Sequence, residues 1–251
     1  MVAVSNSHNF IFLKTRKTAG TSIEMYLQPL CTAAGSPVVE KTRAMETEHG
    51  IIGSRLIDRD DWKPLDRKYW AHSKASELRD NLGEKRWGEL YKLTCVRNPF
   101  DKVLSHYFWN QKRAGNDMPA TVDAEIAEFR KFVHSDEWAN DRSVVFLAGA
   151  YQPDFAIRFE NMAQDLSTFL SNVGVTDALP AMPETKVTRT SRRAEFADYF
   201  DKDSADIIRD RFRWIFSRFD YPRTPKRTQT AMETNAIPAA LETNNNVKVS
   251  S

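Results

Sequence analysis

The sequence predicts an α/β protein with a central parallel sheet and helices on both of its faces. Short apolar runs that suit buried strands alternate along the chain with segments whose apolar residues recur at helical spacing. The turn between the first such strand and its helix, Lys14–Ser22, concentrates cations, hydroxyl groups and one glycine. Ligands of parallel sheets bind at the carboxyl ends of the strands, so this turn is the first candidate for a binding site.

The composition narrows the class of protein. The 251 residues are 41% hydrophobic and 28% charged, which is ordinary for a soluble globular chain, and the net charge of +2 does not indicate a nucleic-acid binder. Cys31 and Cys95 have no zinc spacing and suit a reducing compartment. There is no leader-like start and no apolar run of membrane-spanning length. We therefore expect a cytoplasmic protein without a nucleic-acid partner or a membrane span, and its oligomeric state is left open.

The first half of the chain contains the clearest strand signals. Phe10–Leu13 is apolar at consecutive positions, as expected of a strand buried on both faces, and Tyr91–Val96 is also expected to be a strand. The other elements expected here are a helix from Ser22 closed by Pro29, an irregular excursion over 31–65, a short strand at Tyr69–His72, a helix capped by Ser73 or Ser76 and stopped by Gly83, and a helix that begins at Pro99.

The second half is more helical. The expected elements are a mobile loop over 111–120, a helix from Val122 to Val133, a strand at Phe155–Glu160, a helix from Met162 that ends at Gly174, and a helix with apolar residues from Ile207 to Phe219. After Pro225 the chain is rich in Thr, Asn and Ala. We expect one domain over residues 1–224 and a disordered tail over 225–251.

The first turn has the chemistry of an anion site. The start of a helix presents unpaired N–H groups and partial positive charge, and Gly20 would let the backbone approach an anion closely. Lys17 adds a charge, and the hydroxyl groups of Thr18, Thr21 and Ser22 add donors. The alternative without a binding role is a lysine-rich surface turn before a well-capped helix. The full nucleotide-triphosphatase pattern G-x-x-x-x-G-K-[ST] is absent, because here the lysine precedes the glycine.

A second strand-turn-helix stretch, "CVRNPFDKVLSHYFW", follows at Cys95–Trp109. Arg97 lies at a strand end and Ser105 about two helical turns later. A guanidinium and a hydroxyl in these places can hold a second phosphate. The alternative is that Arg97 pairs with Asp101 and that Ser105 is merely exposed.

Together the two motifs, "KTAGTS" and "VRNPFDKVLSHY", resemble those of the sulfotransferases, most closely the branch with carbohydrate sulfotransferases and many bacterial relatives. The looser stretches "IRFENMAQDLSTFL" and "KVTRTSRRAEFADYF" extend the resemblance over about Phe10–Pro222. The resemblance implies a single-domain, P-loop-like three-layer fold. It also implies the donor 3′-phosphoadenosine 5′-phosphosulfate (PAPS), transfer of its sulfuryl group to a hydroxyl of a small molecule or glycan, and no metal.

The resemblance also implies roles for particular residues. Lys17 would stabilise the departing nucleotide, while Arg97 and Ser105 would bind the 3′-phosphate. Arg192 or Arg193 in the basic loop would add a further phosphate contact, with a solvated loop as the alternative. Lys14 and Arg16 stand where many carbohydrate relatives have histidine and proline, a departure that weakens the case for a glycan acceptor. The 5′-phosphate cradle implied by the resemblance comprises Arg16, Lys17, Thr18, Ala19, Gly20, Thr21 and Ser22.

Transfer to an alcohol needs a base, and a histidine of near-neutral pKa suits this task. His72, at an expected strand end, is the first candidate, because several relatives carry a histidine at a similar place. Its alternative role is to hydrogen-bond the backbone and cap a helix. His49, Glu48 and Asp58 are further candidates. His106 is expected to point away from the site.

Two other functions compete with sulfuryl transfer. One is a P-loop-like small-molecule kinase that uses ATP and magnesium, against which the position of the lysine and the lack of an aspartate-bearing strand both count. The other is a binding protein that has kept the fold and lost transfer, against which the presence of both Lys17 and Arg97 counts.

Overall fold

The computed structural model describes residues 2–55, 58–135, 137–176, 179, 181–182 and 192–228. Residues 229–251 of the expected tail, and residues 186–191 of the stretch "KVTRTSRRAEFADYF", lie outside these ranges. The strands are β1 (Ala3–Ser5), β2 (Phe10–Leu13), β3 (Met45–Thr47), β4 (Gly50–Ile52), β5 (Tyr91–Val96), β6 (Phe146–Leu147), β7 (Ala150–Tyr151) and β8 (Phe155–Arg158).

The helices surround this set of strands. They are α1 (Gly20–Leu27), α2 (Pro64–Lys68), α3 (Ala75–Leu82), α4 (Glu84–Glu89), α5 (Pro99–Ala114), α6 (Val122–His134), α7 (Arg142–Val145), α8 (Met162–Asn172), α9 (Lys202–Arg211) and α10 (Arg213–Phe216). Short 3₁₀ helices occur at Gln28–Leu30, Arg59–Asp61, Phe159–Asn161 and Phe196–Tyr199.

The central sheet has six strands in the order β3-β4-β1-β2-β5-β8. Strands β2, β5 and β8 are parallel to one another, as expected. The prediction of a wholly parallel sheet is wrong for the other half, where β1 is antiparallel to β2 and to β4, and β3 is antiparallel to β4. These added strands have three residues each, too few for a recognisable pattern, and two of them fall in the excursion expected over 31–65.

The apolar residues of β2 show why helices cover both faces of the sheet. All four are fully buried, and they alternate between two cores. Phe10 and Phe12 pack with residues of α1 and α8, whereas Ile11 and Leu13 pack with residues of α3, α5, α6 and α9. The expectation of helices on both faces of a sheet is therefore confirmed.

Several expected helices differ at their ends. Lys74, rather than Ser73 or Ser76, is the N-cap of α3, and its N–H donates to Glu77 at 2.9 Å. Helix α5 continues into the expected loop as far as Ala114, where Gly115 ends it with φ of 69°. The last expected helix is two helices, interrupted at Phe212.

One expected strand is almost absent. Of Tyr69–His72, only Trp70 makes a bridge, to Ser54. Ser54 continues the chain after β4, which runs in the same direction as β2 because both are antiparallel to β1. The chain after β2, β4, β5 and β8 therefore emerges at one edge of the sheet, and both sequence motifs lie there.

Candidate active site

The loop after β2 has an unusual backbone. Lys17 and Ala19 adopt left-handed conformations with φ of 60° and 55°, which cost non-glycine residues about 1–2 kcal/mol each. Ala19 is the N-cap of α1, and its carbonyl accepts from the N–H groups of Ser22 (2.9 Å) and Ile23 (3.2 Å). Left-handed residues in a turn direct neighbouring N–H groups to one side and form an anion-binding concavity. The backbone here has the geometry of such a site.

Gly20 has a packing role that the sequence did not indicate. A Cβ atom at this position would lie 2.9 Å from Cγ and 3.1 Å from Cε of Lys14. The Lys14 ammonium is buried and pairs with the fully buried Glu24 at 2.5 Å. Burial lowers the pKa of Lys14, and Glu24 opposes this effect. Lys14 therefore stabilises the loop from inside, and the absence of a side chain at Gly20 leaves the space that Lys14 occupies.

The hydroxyl groups of the loop are placed differently from one another. Thr18 is fully buried, and its Oγ1 lies 3.1 Å from Thr15 Oγ1 and 3.2 Å from the Thr15 carbonyl. The Thr18 side chain is thus held inside the loop. Thr21 Oγ1 accepts from Lys14 Nζ at 3.4 Å, and Ser22 is buried in the first turn of α1.

Asp141, which the sequence analysis did not single out, anchors the loop. Its fully buried carboxylate accepts from the Arg16 N–H (2.9 Å) and guanidinium (2.7 Å), and from Lys102 Nζ on α5 (2.6 Å). Burial alone would raise the pKa of Asp141, but Lys102 and Arg16 hold it below its ordinary value. Arg16 therefore binds protein rather than projecting freely beside the loop.

Lys17 points toward the second motif. Its Nζ lies 5.2 Å from the ring centroid of Trp109 on α5, a cation–π contact. The carbonyl of Lys17 accepts from Arg97 Nη1 at 3.0 Å. The two strand-end motifs are thus in direct contact.

Arg97 makes the ion pair that the sequence analysis had kept as an alternative. Its Nε donates to Asp101 Oδ2 at 2.7 Å, its Nη2 contacts the same oxygen, and its guanidinium lies 4.1 Å from the Phe159 ring centroid. Arg192 donates to Asp101 Oδ1 at 2.6 Å. Burial raises the pKa of Asp101, but the two guanidinium groups overcome it and lower the pKa to about 2.

The two arginines of the basic loop separate. Arg192 joins Asp101, whereas Arg193 pairs with Glu125 on α6 at 2.6 Å and also donates to the Pro119 carbonyl. Of this pair, the structure brings only Arg192 to the second motif. Ser105 is buried on α5, one turn after Asp101, and so is not the exposed residue of the alternative.

His72 lies beside the first loop. Its Nδ1 is 3.1 Å from the Lys14 carbonyl, and its ring meets Trp70 edge-on at 6.0 Å. Burial, followed by the charges of Lys14 and Arg16, lowers the pKa of His72 well below its ordinary value, against an opposing effect of Asp141. A carbonyl oxygen can only accept a hydrogen bond, so the neutral imidazole of His72 carries its proton on Nδ1. The lone pair is therefore on Nε2.

His106 also faces the site, and the expectation that it points away is wrong. Its ring lies 5.9 Å from that of Trp109, which Lys17 contacts. Burial, followed by the charge of Lys17, lowers the pKa of His106 to about 4. The positions 102, 106 and 109 share one face of α5, a helical spacing that was available in the sequence.

The other candidate bases are elsewhere. Glu48 and His49 form the turn between β3 and β4, and the register places the neighbouring Gly50 level with Ser5 and Phe10, where β2 begins. Both residues are therefore at the opposite edge of the sheet, and their candidacy as bases is wrong. Asp58 is exposed, and its carboxylate caps a 3₁₀ helix by accepting from the Asp60 N–H at 3.2 Å.

A model of the sulfotransferase family matches residues 1–222, and the chain belongs to this family. Its membership makes it a transferase and supports sulfuryl transfer as its reaction. No curated protein and no solved structure gives a significant match to the chain.

No helix in the described ranges is long and apolar enough to cross a membrane. In the same part of the chain, no group of three or more His, Cys, Asp or Glu side chains is arranged to hold a metal ion.

Proposed function

We propose that the protein transfers a sulfuryl group from PAPS to a hydroxyl of a small molecule or glycan. The observation that carries the proposal is the contact between Arg97 Nη1 and the Lys17 carbonyl, at 3.0 Å. This contact brings an anion-binding loop and a cluster of guanidinium groups together. A nucleotide with phosphates on both its 5′ and 3′ positions needs two adjacent anion sites of this kind.

The first loop would hold the 5′-phosphosulfate. The supporting features are the left-handed backbone at Lys17 and Ala19 and the start of α1. The N–H groups of Ala19, Gly20 and Thr21 would donate to the phosphate, and Lys17 would neutralise charge on the bridging oxygen. Since the Thr18 hydroxyl is bound inside the loop, its backbone rather than its side chain would serve the ligand.

The 3′-phosphate would lie at the second motif. Arg97 and Arg192 supply two guanidinium groups there, and Ser105 follows Asp101 on the same face of α5. Guanidinium groups suit phosphate because their paired N–H donors match its oxygens. Asp101 would hold these groups in place.

Sulfuryl transfer requires little covalent chemistry from the protein. Sulfuryl transfer by in-line displacement needs positioning of both reactants and stabilisation of the charge that develops on the leaving oxygen. Lys17 would supply that charge stabilisation. His72 Nε2 would accept the proton of the acceptor hydroxyl, because the depressed pKa of His72 keeps the ring neutral near pH 7. His106 is the second candidate for this role, since it too lies near Lys17.

Thermal unfolding with nucleotides tests the donor assignment. A ligand at about 100 times its dissociation constant stabilises the folded state by roughly 2.7 kcal/mol, which raises the melting temperature by a few degrees. We expect adenosine 3′,5′-bisphosphate to give this shift, with smaller shifts from AMP and ADP, and we expect Arg97→Ala to reduce it. No shift with the bisphosphate, or a larger shift with ATP and magnesium, would instead favour the kinase alternative.

A further inference from the structure

We propose that Arg227, which lies in the segment Thr224–Thr228, completes the donor site by binding the 3′-phosphate together with Arg97 and Arg192. The inference rests on the proposed function, because it assumes a nucleoside 3′,5′-bisphosphate ligand. The family match ends at residue 222, so this segment lies beyond the part of the chain that the family model covers. Its placement comes from contacts of this particular chain.

Asn98 anchors the segment. Its Nδ2 donates to the Lys226 carbonyl at 2.9 Å and to Thr228 Oγ1 at 3.0 Å. Its Oδ1 accepts from the Phe100 N–H at 3.0 Å and so caps the start of α5. One buried side chain thus ties the segment to the helix start, directly after Arg97.

Two arginine side chains contact the ring of Phe196. The Arg192 guanidinium lies 5.9 Å and the Arg227 guanidinium 5.7 Å from its centroid. Arg192 also pairs with Asp101, which holds Arg97 as well. Two guanidinium groups therefore pair with the Asp101 carboxylate, and that of Arg227 lies close enough to Arg192 to interact with it electrostatically.

The net charge of this cluster of arginines and carboxylates is positive, which favours binding of an anion. Asp101 offsets one of the three cations, and Glu160, which interacts electrostatically with Arg97, offsets a second. Glu160 accepts from the Asn98 N–H (2.8 Å) and the Tyr221 hydroxyl (2.6 Å). The Arg192 side chain is only 4% exposed, and its buried Nε has no hydrogen-bond partner. An unpaired buried donor is costly. A phosphate monoester, with close to two negative charges and three acceptor oxygens, suits both the unpaired donor and the excess charge.

Binding measurements on the full chain test this inference. Calorimetric titrations would compare adenosine 3′,5′-bisphosphate with AMP, which lacks the 3′-phosphate, for wild type, Arg227→Ala, Arg227→Lys and Lys226→Ala. We expect Arg227→Ala to weaken bisphosphate binding about tenfold, as for loss of a charge-assisted phosphate contact. AMP binding should not change, and Arg227→Lys should recover part of the affinity. Lys226 is exposed in the same segment, so its variant is the matched control and should stay within about twofold.

The outcomes separate the inference from the function on which it rests. Wild-type protein that fails to bind the bisphosphate would overturn the proposed function itself. Wild-type protein that binds it, with Arg227→Ala equal to wild type or to Lys226→Ala, would overturn only the role of Arg227. Trypsin cleavage after Arg223, Lys226 and Arg227 gives an independent readout. The bisphosphate should slow it and AMP should not, whereas equal cleavage with both ligands would show that the segment does not close over the 3′-phosphate.

Discussion

At the scale of the residue, Asp141 organises the charges around the first loop. Its carboxylate holds Arg16 and Lys102, and it also opposes the fall in the pKa of both His72 and His106. The two histidines are thus on the same side of the molecule as the loop, near one shared anion. Either imidazole is neutral near pH 7, so protonation state does not decide which one serves as the base.

A pair of variants distinguishes the two histidines. We expect His72→Ala to lower sulfuryl transfer about 10²–10⁴-fold, the range for loss of a general base, with little change in bisphosphate binding. His106→Ala should lower sulfuryl transfer much less. In His72 the hydrogen bond from Nδ1 to the Lys14 carbonyl places the lone pair on Nε2, where it can accept a proton. The measurement is release of adenosine 3′,5′-bisphosphate from PAPS with water or an added alcohol as acceptor. A larger loss in His106→Ala would transfer the base role to His106.

The pH dependence gives a second check on the same residue. A base acts in its deprotonated form, so the rate falls as the pH drops through its pKa. Because burial and nearby cations lower the pKa of His72, the rate should stay level down to pH values below the ordinary histidine pKa of about 6.5. A decline centred near 6.5 would point to an exposed histidine instead.

Single residues also show why part of the site was not predictable. Lys17, Arg97 and Arg192 belong to stretches with a recognisable pattern, and the structure gathers them at one sheet edge. Asp141 lies in a stretch without such a pattern, and its importance comes only from the folded proximity of Arg16 and Lys102. No local signal in the sequence reports such a contact.

At the scale of the element, the start of α1 depends on the fit between Gly20 and the buried Lys14–Glu24 pair. The helix begins two residues before the predicted Ser22, so the glycine lies inside the first turn. The aliphatic part of Lys14 fills the space that a side chain at position 20 would need. Loop, strand end and helix start are therefore packed as one unit.

Gly20→Ala tests this packing. We expect it to lower the free energy of unfolding by about 1–3 kcal/mol, the usual cost of overpacking, because the new Cβ would lie 2.9 Å from Lys14 Cγ. Gly88→Ala in α4 is the matched control, since a Cβ there meets nothing within 4 Å. The control should be stabilising by about 0.5–1 kcal/mol, as alanine favours a helix. Urea unfolding of both variants measures the difference, and equal effects would contradict the packing role.

Elements were predictable where local pattern and length agreed. The bounds of β2 and β5 match the sequence prediction. The apolar run of β2 is continuous and buried on both faces, and β5 is buried from Lys92 to Val96 although Lys92 and Thr94 are polar. The antiparallel strands β1, β3 and β4 were missed, since three residues define no period and only pairing with neighbours makes them strands.

At the scale of the whole molecule, buried carboxylates join segments that are far apart in the sequence. Asp101 joins the start of α5 to the segment at Arg192, and Asp141 joins the first loop to α5. The pKa values of both carboxyl groups are below ordinary values in the folded protein. The unfolded chain therefore takes up protons at these groups at a higher pH than the folded protein does. Their contribution to stability is present above the unfolded pKa and is lost as the pH falls toward the folded pKa.

The size of this effect can be stated for Asp101. Its pKa falls from 3.8 to about 2, which corresponds to roughly 2 kcal/mol of stability at neutral pH, of which about half should be lost between pH 5 and pH 3. Urea unfolding at the two pH values should show wild type losing about 1 kcal/mol more than Asp101→Asn, which has no such carboxyl group to protonate. The variant should be the less stable protein at pH 5, because Arg97 and Arg192 would then face each other without an anion between them. Equal acid losses in the two proteins would mean that this junction does not contribute to the stability of the whole molecule.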